Sequence, residues 1–202
     1  MARPYTEHRG ACSADNDSGD GAGIMCNIPW QLLEKYCAEN NIAGFKEGSS
    51  GVGMVFLPQD PSLAFKAKDI LNKSIAAEGL TVLGWRPVPV DKTVVGRMAK
   101  DTEPVIEQVL VSGAAGDDLE RKLYLARKTA EKAAAKADAM APGFAENFYV
   151  CTMSGRTIVY KVGTSFTRPH AGYDDEQRVT TSLVCPTKRP CEMFGDLTPC
   201  HH

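Results

Sequence analysis

The segment Glu7-His8-Arg9-Gly10-Ala11-Cys12-Ser13-Ala14-Asp15-Asn16-Asp17-Ser18-Gly19-Asp20-Gly21-Ala22-Gly23 gathers four glycines and three aspartates among small residues. Such a stretch can bind a cation, cradle a phosphate or simply turn. Read as a calcium loop, Asp15 and Asp17 occupy the first and third places, but Asp20 stands where the sharp bend needs glycine, and Cys26 where a bidentate glutamate is needed. Read as a dinucleotide fingerprint, Gly19, Gly21 and Gly23 are wrongly spaced and follow no expected strand. The plainest expectation is a turn in which the glycines take positive φ and the aspartates accept from local N–H groups. Cys12 lies inside this segment, and no partner in the sequence supplies it with a base. Cys26, Cys37 and Cys151 read as packed or idle thiols. Near the C-terminus, Cys185, Cys191, Cys200, His201 and His202 offer metal-ligand types, but they lack the close Cys-x-x-Cys pair of common zinc modules.

The elements that must hold these residues alternate between helix and strand over residues 28–161, a mixed α/β pattern. Pro29 suits a first helical turn, and Trp30, Leu33, Tyr36 and Cys37 share a face of a helix that ends near Asn40 and Asn41. Val52–Leu57 is a short apolar run between glycines and Pro58, which predicts a buried strand. Asp60 before Pro61 is an N-cap and first-turn pair; Leu63, Ala67, Ile70, Leu71 and Ile75 keep helical spacing up to Gly79. Strands are predicted at Leu80–Arg86 and Val105–Val111. Asp117 and Glu120 resemble a capping box before a long alanine-rich helix whose packing face is Leu119, Leu123, Ala126, Ala130 and Ala137. The cations of Arg121–Lys136, interleaved with Glu120 and Glu131, read as a solvated face. Asn147–Met153 and Arg156–Lys161, joined by Ser154-Gly155, predict a central hairpin apolar on both faces. Val162–His202 holds four prolines and few periodic apolar residues, and is expected to be an irregular tail.

Composition narrows the function. The 202 residues suit one core, and 23 Lys+Arg against 25 Asp+Glu give a net charge of -2, which argues against a nucleic-acid clamp or an anionic-membrane binder. The longest apolar run falls far short of the ~20 residues of a membrane span. Seven scattered cysteines suggest reduced thiols and an intracellular setting, and residues 1–9 carry no readable transit or secretory signal.

Glu7-His8-Arg9-Gly10 followed by Asp20-Gly21-Ala22-Gly23-Ile24 resembles the signature of class II glutamine amidotransferases, in the longer form found in glutamate synthases. The likeness continues through Ile28-Pro29-Trp30, Gly51–Pro58, Val82–Val90, Pro104–Val109 and Arg156–Lys161. Its wording is most similar to the ferredoxin-dependent type of plants, algae and cyanobacteria. The resemblance implies an N-terminal-nucleophile hydrolase fold, an αββα sandwich that residues 1–161 would supply in part, with 162–202 unrelated to it. It implies that an N-terminal cysteine attacks the glutamine amide with its own α-amine as base, and that ammonia passes to 2-oxoglutarate on an FMN-bearing, iron–sulfur-containing portion reduced by ferredoxin. Glutamine, ferredoxin and the remaining synthase domains are the implied partners, and the plastid stroma the implied location. Arg9, Gly10, Asp20, Gly21 and Gly23 match signature positions, whose expected role is to shape a loop beside the amidotransferase site.

The expected nucleophile precedes the signature by some tens of residues, and the His-Asn-Gly-Glu segment expected after Lys161 is replaced by Val162-Gly163-Thr164. No catalytic or metal-binding residue is therefore assigned, no cofactor is expected in this chain, and the chain alone is expected to be inactive. The tail is read as translated intron or a mispredicted exon. A non-catalytic interaction or scaffold module built on the amidotransferase core is the alternative, and a glutaminase using Cys12 is a third.

Overall fold

The computed structural model describes residues 18–90, 103–138 and 144–165. Ten elements follow in order: β1 (Ser18–Asn27), α1 (Trp30–Glu39), β2 (Ser50–Leu57), α2 (Pro61–Ala77), β3 (Thr81–Pro87), β4 (Val105–Ser112), α3 (Gly116–Asp138), the single-turn α4 (Phe144–Asn147), β5 (Tyr149–Ser154) and β6 (Thr157–Ser165). The chain divides into two compact units, one made of Met25–Val88 and Pro104–Val159, the other of Met1–Ile24, Pro89–Glu103 and Tyr160–His202.

The first unit is built on an antiparallel sheet in the order β3-β4-β2-β5. Val52–Leu57 is central because its side chains are apolar on both faces, as a strand covered on both sides requires. On one face, Val55 and Leu57 join Val109 and Val111 in a core closed by Ala67, Leu71 and Ile75 of α2 and by Leu119, Leu123, Ala126 and Ala130 of α3. Each fully buried leucine or isoleucine there is worth ~1.5–3 kcal/mol of burial. Gly51 and Gly53 lie on the same face for a steric reason. A Cβ on Gly51 would stand 2.6 Å from Leu123 Cδ1, and one on Gly53 would stand 2.6 Å from Val109 Cγ1. The opposite face carries Val52, Met54, Leu110, Gln108 and Arg86, all buried. Against β3 on that side, Ile42 fills the space a side chain at Gly84 would need, and the Arg86 guanidinium lies 5.1 Å from the Tyr36 ring of α1.

Helix ends follow their capping chemistry. Asp60 caps α2, its carboxylate accepting from the N–H groups of Ser62 (2.7 Å) and Leu63 (3.1 Å), and Pro61 opens the first turn. Gly79, at φ +71°, ends the helix in the left-handed region. On α3, Asp118 pairs with Arg121 and Lys122, and Glu131 with Arg127 and Lys128, so those cations form the expected solvated face. The packing face also includes Ala134, about one helical turn beyond Ala130.

Several expectations are corrected. The predicted hairpin does not form: β5 pairs with β2 at the edge of the four-stranded sheet, whereas β6 pairs with β1 in a separate two-stranded sheet. Apolar side chains on both faces suit membership of two sheets as well as one, and Ser154-Gly155 marks a turn without saying which strands it joins. Asn147 also belongs to α4, so the strand starts at Tyr149. The capping box is absent, because α3 already begins at Gly116 and the carboxylate of Glu120 bonds the β5–β6 turn instead. Lastly, Ser18–Gly23 is strand and not a glycine turn. β6 continues to Ser165, past the expected boundary at Lys161; residues 166–202 lie outside the described residues.

Candidate functional site

Of the signature residues, Asp20, Gly21 and Gly23 are carried by β1, whereas Arg9, Gly10 and Cys12 lie outside the described residues. Gly19, Gly21 and Gly23 fall at alternate positions of that strand. Glycine at every second strand position leaves a stretch of main chain that another group can approach closely, an arrangement suited to a strand beside a binding site. β1 pairs with β6, so the signature residues stand on a two-stranded ribbon.

The base of this ribbon is fixed by side chains. The N–H of Ile28, just after β1, donates to the carbonyl of Arg156, just before β6 (3.3 Å). In the turn, Ser154 Oγ accepts from the N–H groups of Arg156 (3.0 Å) and Thr157 (3.2 Å) and donates to the Glu120 carboxylate (3.1 Å to either oxygen). The Gly155 N–H donates to Glu120 Oε1 at 2.6 Å, and the Arg156 guanidinium pairs with Asp117. Gly155 is required sterically, since a Cβ there would lie 2.9 Å from Leu119 Cδ2 and 3.2 Å from the Ser50 carbonyl. The acidic pair that resembled a cap in the sequence thus serves the neighbouring turn. Only the spacing of the two carboxylates was visible in the sequence, not their targets, 34 and 35 residues away for Glu120 and 39 for Asp117.

A second polar group is buried on the sheet. Arg86, 4% exposed, donates from Nη1 to Gln108 Oε1 at 3.0 Å, and its charge faces the Tyr36 ring. Cys37 is next to this group; burial, followed by the nearby Glu34 carboxylate, raises its thiol pKa, with Arg86 acting against them. Burial also raises Cys26. Burial therefore disfavours the thiolate form of both. Cys151 is buried in β5.

The sequence profile of the class II glutamine amidotransferases matches residues 3–185. The chain belongs to that family. The match begins before the signature, covers β1 through β6 and runs past Lys161. Among individual relatives, the amidotransferase chain is 48% identical over 207 residues to the chloroplastic ferredoxin-dependent glutamate synthase of Oryza sativa subsp. japonica. That alignment covers 94% of this chain and 12% of the rice protein. The spinach (Spinacia oleracea) chloroplastic enzyme is 39% identical over the same shares, and ferredoxin-dependent glutamate synthase 2 of Synechocystis is 50% identical over 158 residues, 77% of this chain and 10% of the relative. This amidotransferase chain therefore spans about an eighth of the length of its first relatives.

Among the described residues, no group of three or more His, Cys, Asp and Glu could hold a metal ion. The Asp60 carboxylate caps α2 and α3 opens with Asp117 and Asp118, whereas α1 begins after Pro29 with no side-chain cap.

Proposed function

We propose that this chain is part of the glutaminase portion of a ferredoxin-dependent glutamate synthase, the enzyme type that hydrolyses glutamine and passes ammonia to 2-oxoglutarate to form glutamate. The observation that carries the proposal is the ordered match over residues 3–185 together with relatives of that printed name at 39–50% identity. Glutamine is then the ligand, ferredoxin and the rest of the synthase are the partners, FMN and the iron–sulfur cluster belong to that remainder, and the plastid names of the rice and spinach relatives support a plastid location.

The chain itself does not turn over glutamine in this proposal. Amide attack by this family's chemistry needs a cysteine whose own α-amine is the base. The burial of Cys26 and Cys37 disfavours their thiolates. Asp20, Gly21 and Gly23 then shape the strand beside the site without performing the chemistry, while Arg9 and Gly10 lie outside the described residues. Two measurements decide the matter. Purified chain should release no ammonia from glutamine above the rate of its Cys12→Ala variant; turnover abolished by that substitution would make Cys12 the nucleophile and overturn the assignment. A transcript spanning the gene should carry further synthase sequence beyond this chain; a message that encodes this chain alone would instead leave a non-catalytic module.

A further inference from the structure

The turn between β5 and β6 is held by a carboxylate from another element. Glu120 projects from the first turns of α3 and accepts the Gly155 N–H at 2.6 Å and the Ser154 hydroxyl at 3.1 Å. That hydroxyl in turn accepts from the N–H groups of Arg156 and Thr157, the residues through which β6 begins. The Arg156 carbonyl then takes the N–H of Ile28, immediately after β1. One side chain thus orders four successive residues of the turn and, one hydrogen bond further, the end of β1. A two-stranded ribbon needs such an anchor. It is marginally stable by itself, and glycine at alternate positions specifies register weakly because a one-residue slip moves few side chains between faces. β1, with Gly19, Gly21 and Gly23, is a strand of that kind.

We propose that Glu120 is a positioning residue that fixes the register in which β6 leaves the β5–β6 turn and meets the end of β1. Its relevance to glutamine binding rests on the function proposed above, but the register claim is independent of it. Asp117, paired with the Arg156 guanidinium, plays an exposed supporting part.

The test is residue-resolved amide exchange on the chain with Glu120→Ala and Glu120→Gln. The glutamine variant keeps one side-chain oxygen for the Gly155 N–H. Glu120→Ala should speed exchange at Gly155, Thr157 and the paired amides of residues 18–27 by about tenfold or more, with Val109–Val111 of β4 changed less than threefold. Glu120→Gln should recover most of the lost protection. Unchanged exchange in the ribbon, an equal rise in β4, or no recovery with glutamine would overturn the proposal, the second because it would mark general destabilisation. In the full-length gene product, the same alanine change should raise the KM for glutamine more than it lowers kcat. A parent with no glutaminase activity would refute the functional assignment while the exchange result still decides the role of Glu120.

Discussion

Gly51 and Leu123 offer a direct test of how α3 seats on the sheet. A methyl group at Gly51 would sit 2.6 Å from Leu123 Cδ1 and 3.2 Å from the Ser154 carbonyl. Leu123 is fully buried within the helix-facing core and cannot swing into solvent, so Gly51→Ala overpacks the contact at a cost of about 1–3 kcal/mol. The smaller unfolded-state entropy of alanine returns at most about 1 kcal/mol of that. Leu123→Ala alone removes a packed side chain and should cost about 2–5 kcal/mol. In the double variant the methyl at position 51 enters space that Leu123 has left, so the combined loss should stay within about 0.5 kcal/mol of the Leu123→Ala value, a favourable coupling of about 1–2 kcal/mol. Urea unfolding of the four proteins, followed by circular dichroism at matched slopes, measures each term. If the double variant loses the sum of the two single losses, Leu123 is not the obstacle at Gly51, and the account of the glycines in β2 is wrong.

Three further outcomes are expected. Asp60 accepts from the Ser62 hydroxyl and from the Leu63 and Ser62 N–H groups, which hold its carboxyl below the usual range. Its capping contribution is therefore complete above about pH 3.9 and fades as the pH falls through the lower folded value, so the gap in urea midpoint between wild type and Asp60→Ala should narrow on acidification below that point; a gap constant down to pH 2 would refute the cap. Gln108→Leu removes the buried acceptor of Arg86 Nη1 and should destabilise by about 1.5–3 kcal/mol in the same assay, whereas a neutral result would show that the guanidinium does not depend on it. Cys37, 3% exposed and with its pKa raised by burial, should be alkylated at pH 8 at least about tenfold more slowly in the folded chain than in urea; equal rates would contradict its burial on the inner face of α1.

Periodicity and punctuation in the sequence located most elements. The apolar run Val52–Leu57, the Asp60-Pro61 cap and the stop at Gly79 each appear in the structure within a few residues of the expected place, because each depends on local chemistry. The packing stripe Leu119, Leu123, Ala126 and Ala130 was legible for the same reason. Strand partnership was not. β5 and β6 are separated by two residues yet belong to different sheets, because β6 pairs with residues over a hundred positions earlier, which no local pattern announces. Glu120 was noticed for its spacing from Asp117 and given the wrong partner. The buried Arg86–Gln108 pair was missed altogether, since a charged residue in a strand gives no local sign that its guanidinium turns inward. For the signature, the residue types pointed to the family, while the strand conformation of Ser18–Gly23 was hidden by the turn-forming character of its glycines.

The sheet order has a consequence for biosynthesis. Central strand β2 finds both its neighbours far downstream, Val52 lying opposite Leu110 of β4 and Ser154 of β5. At roughly 5–20 residues per second on the ribosome, the apolar Val52–Leu57 stretch waits on the order of 2–10 s for β4 to be synthesised, and longer for β5. During that interval α2 is the available cover, joined to β2 by a short link that includes Asp60. Nascent chains should therefore depend on early formation of the capped α2 to shield β2, and weakening that cap should lower soluble yield during translation more than the equilibrium stability of the finished protein would suggest.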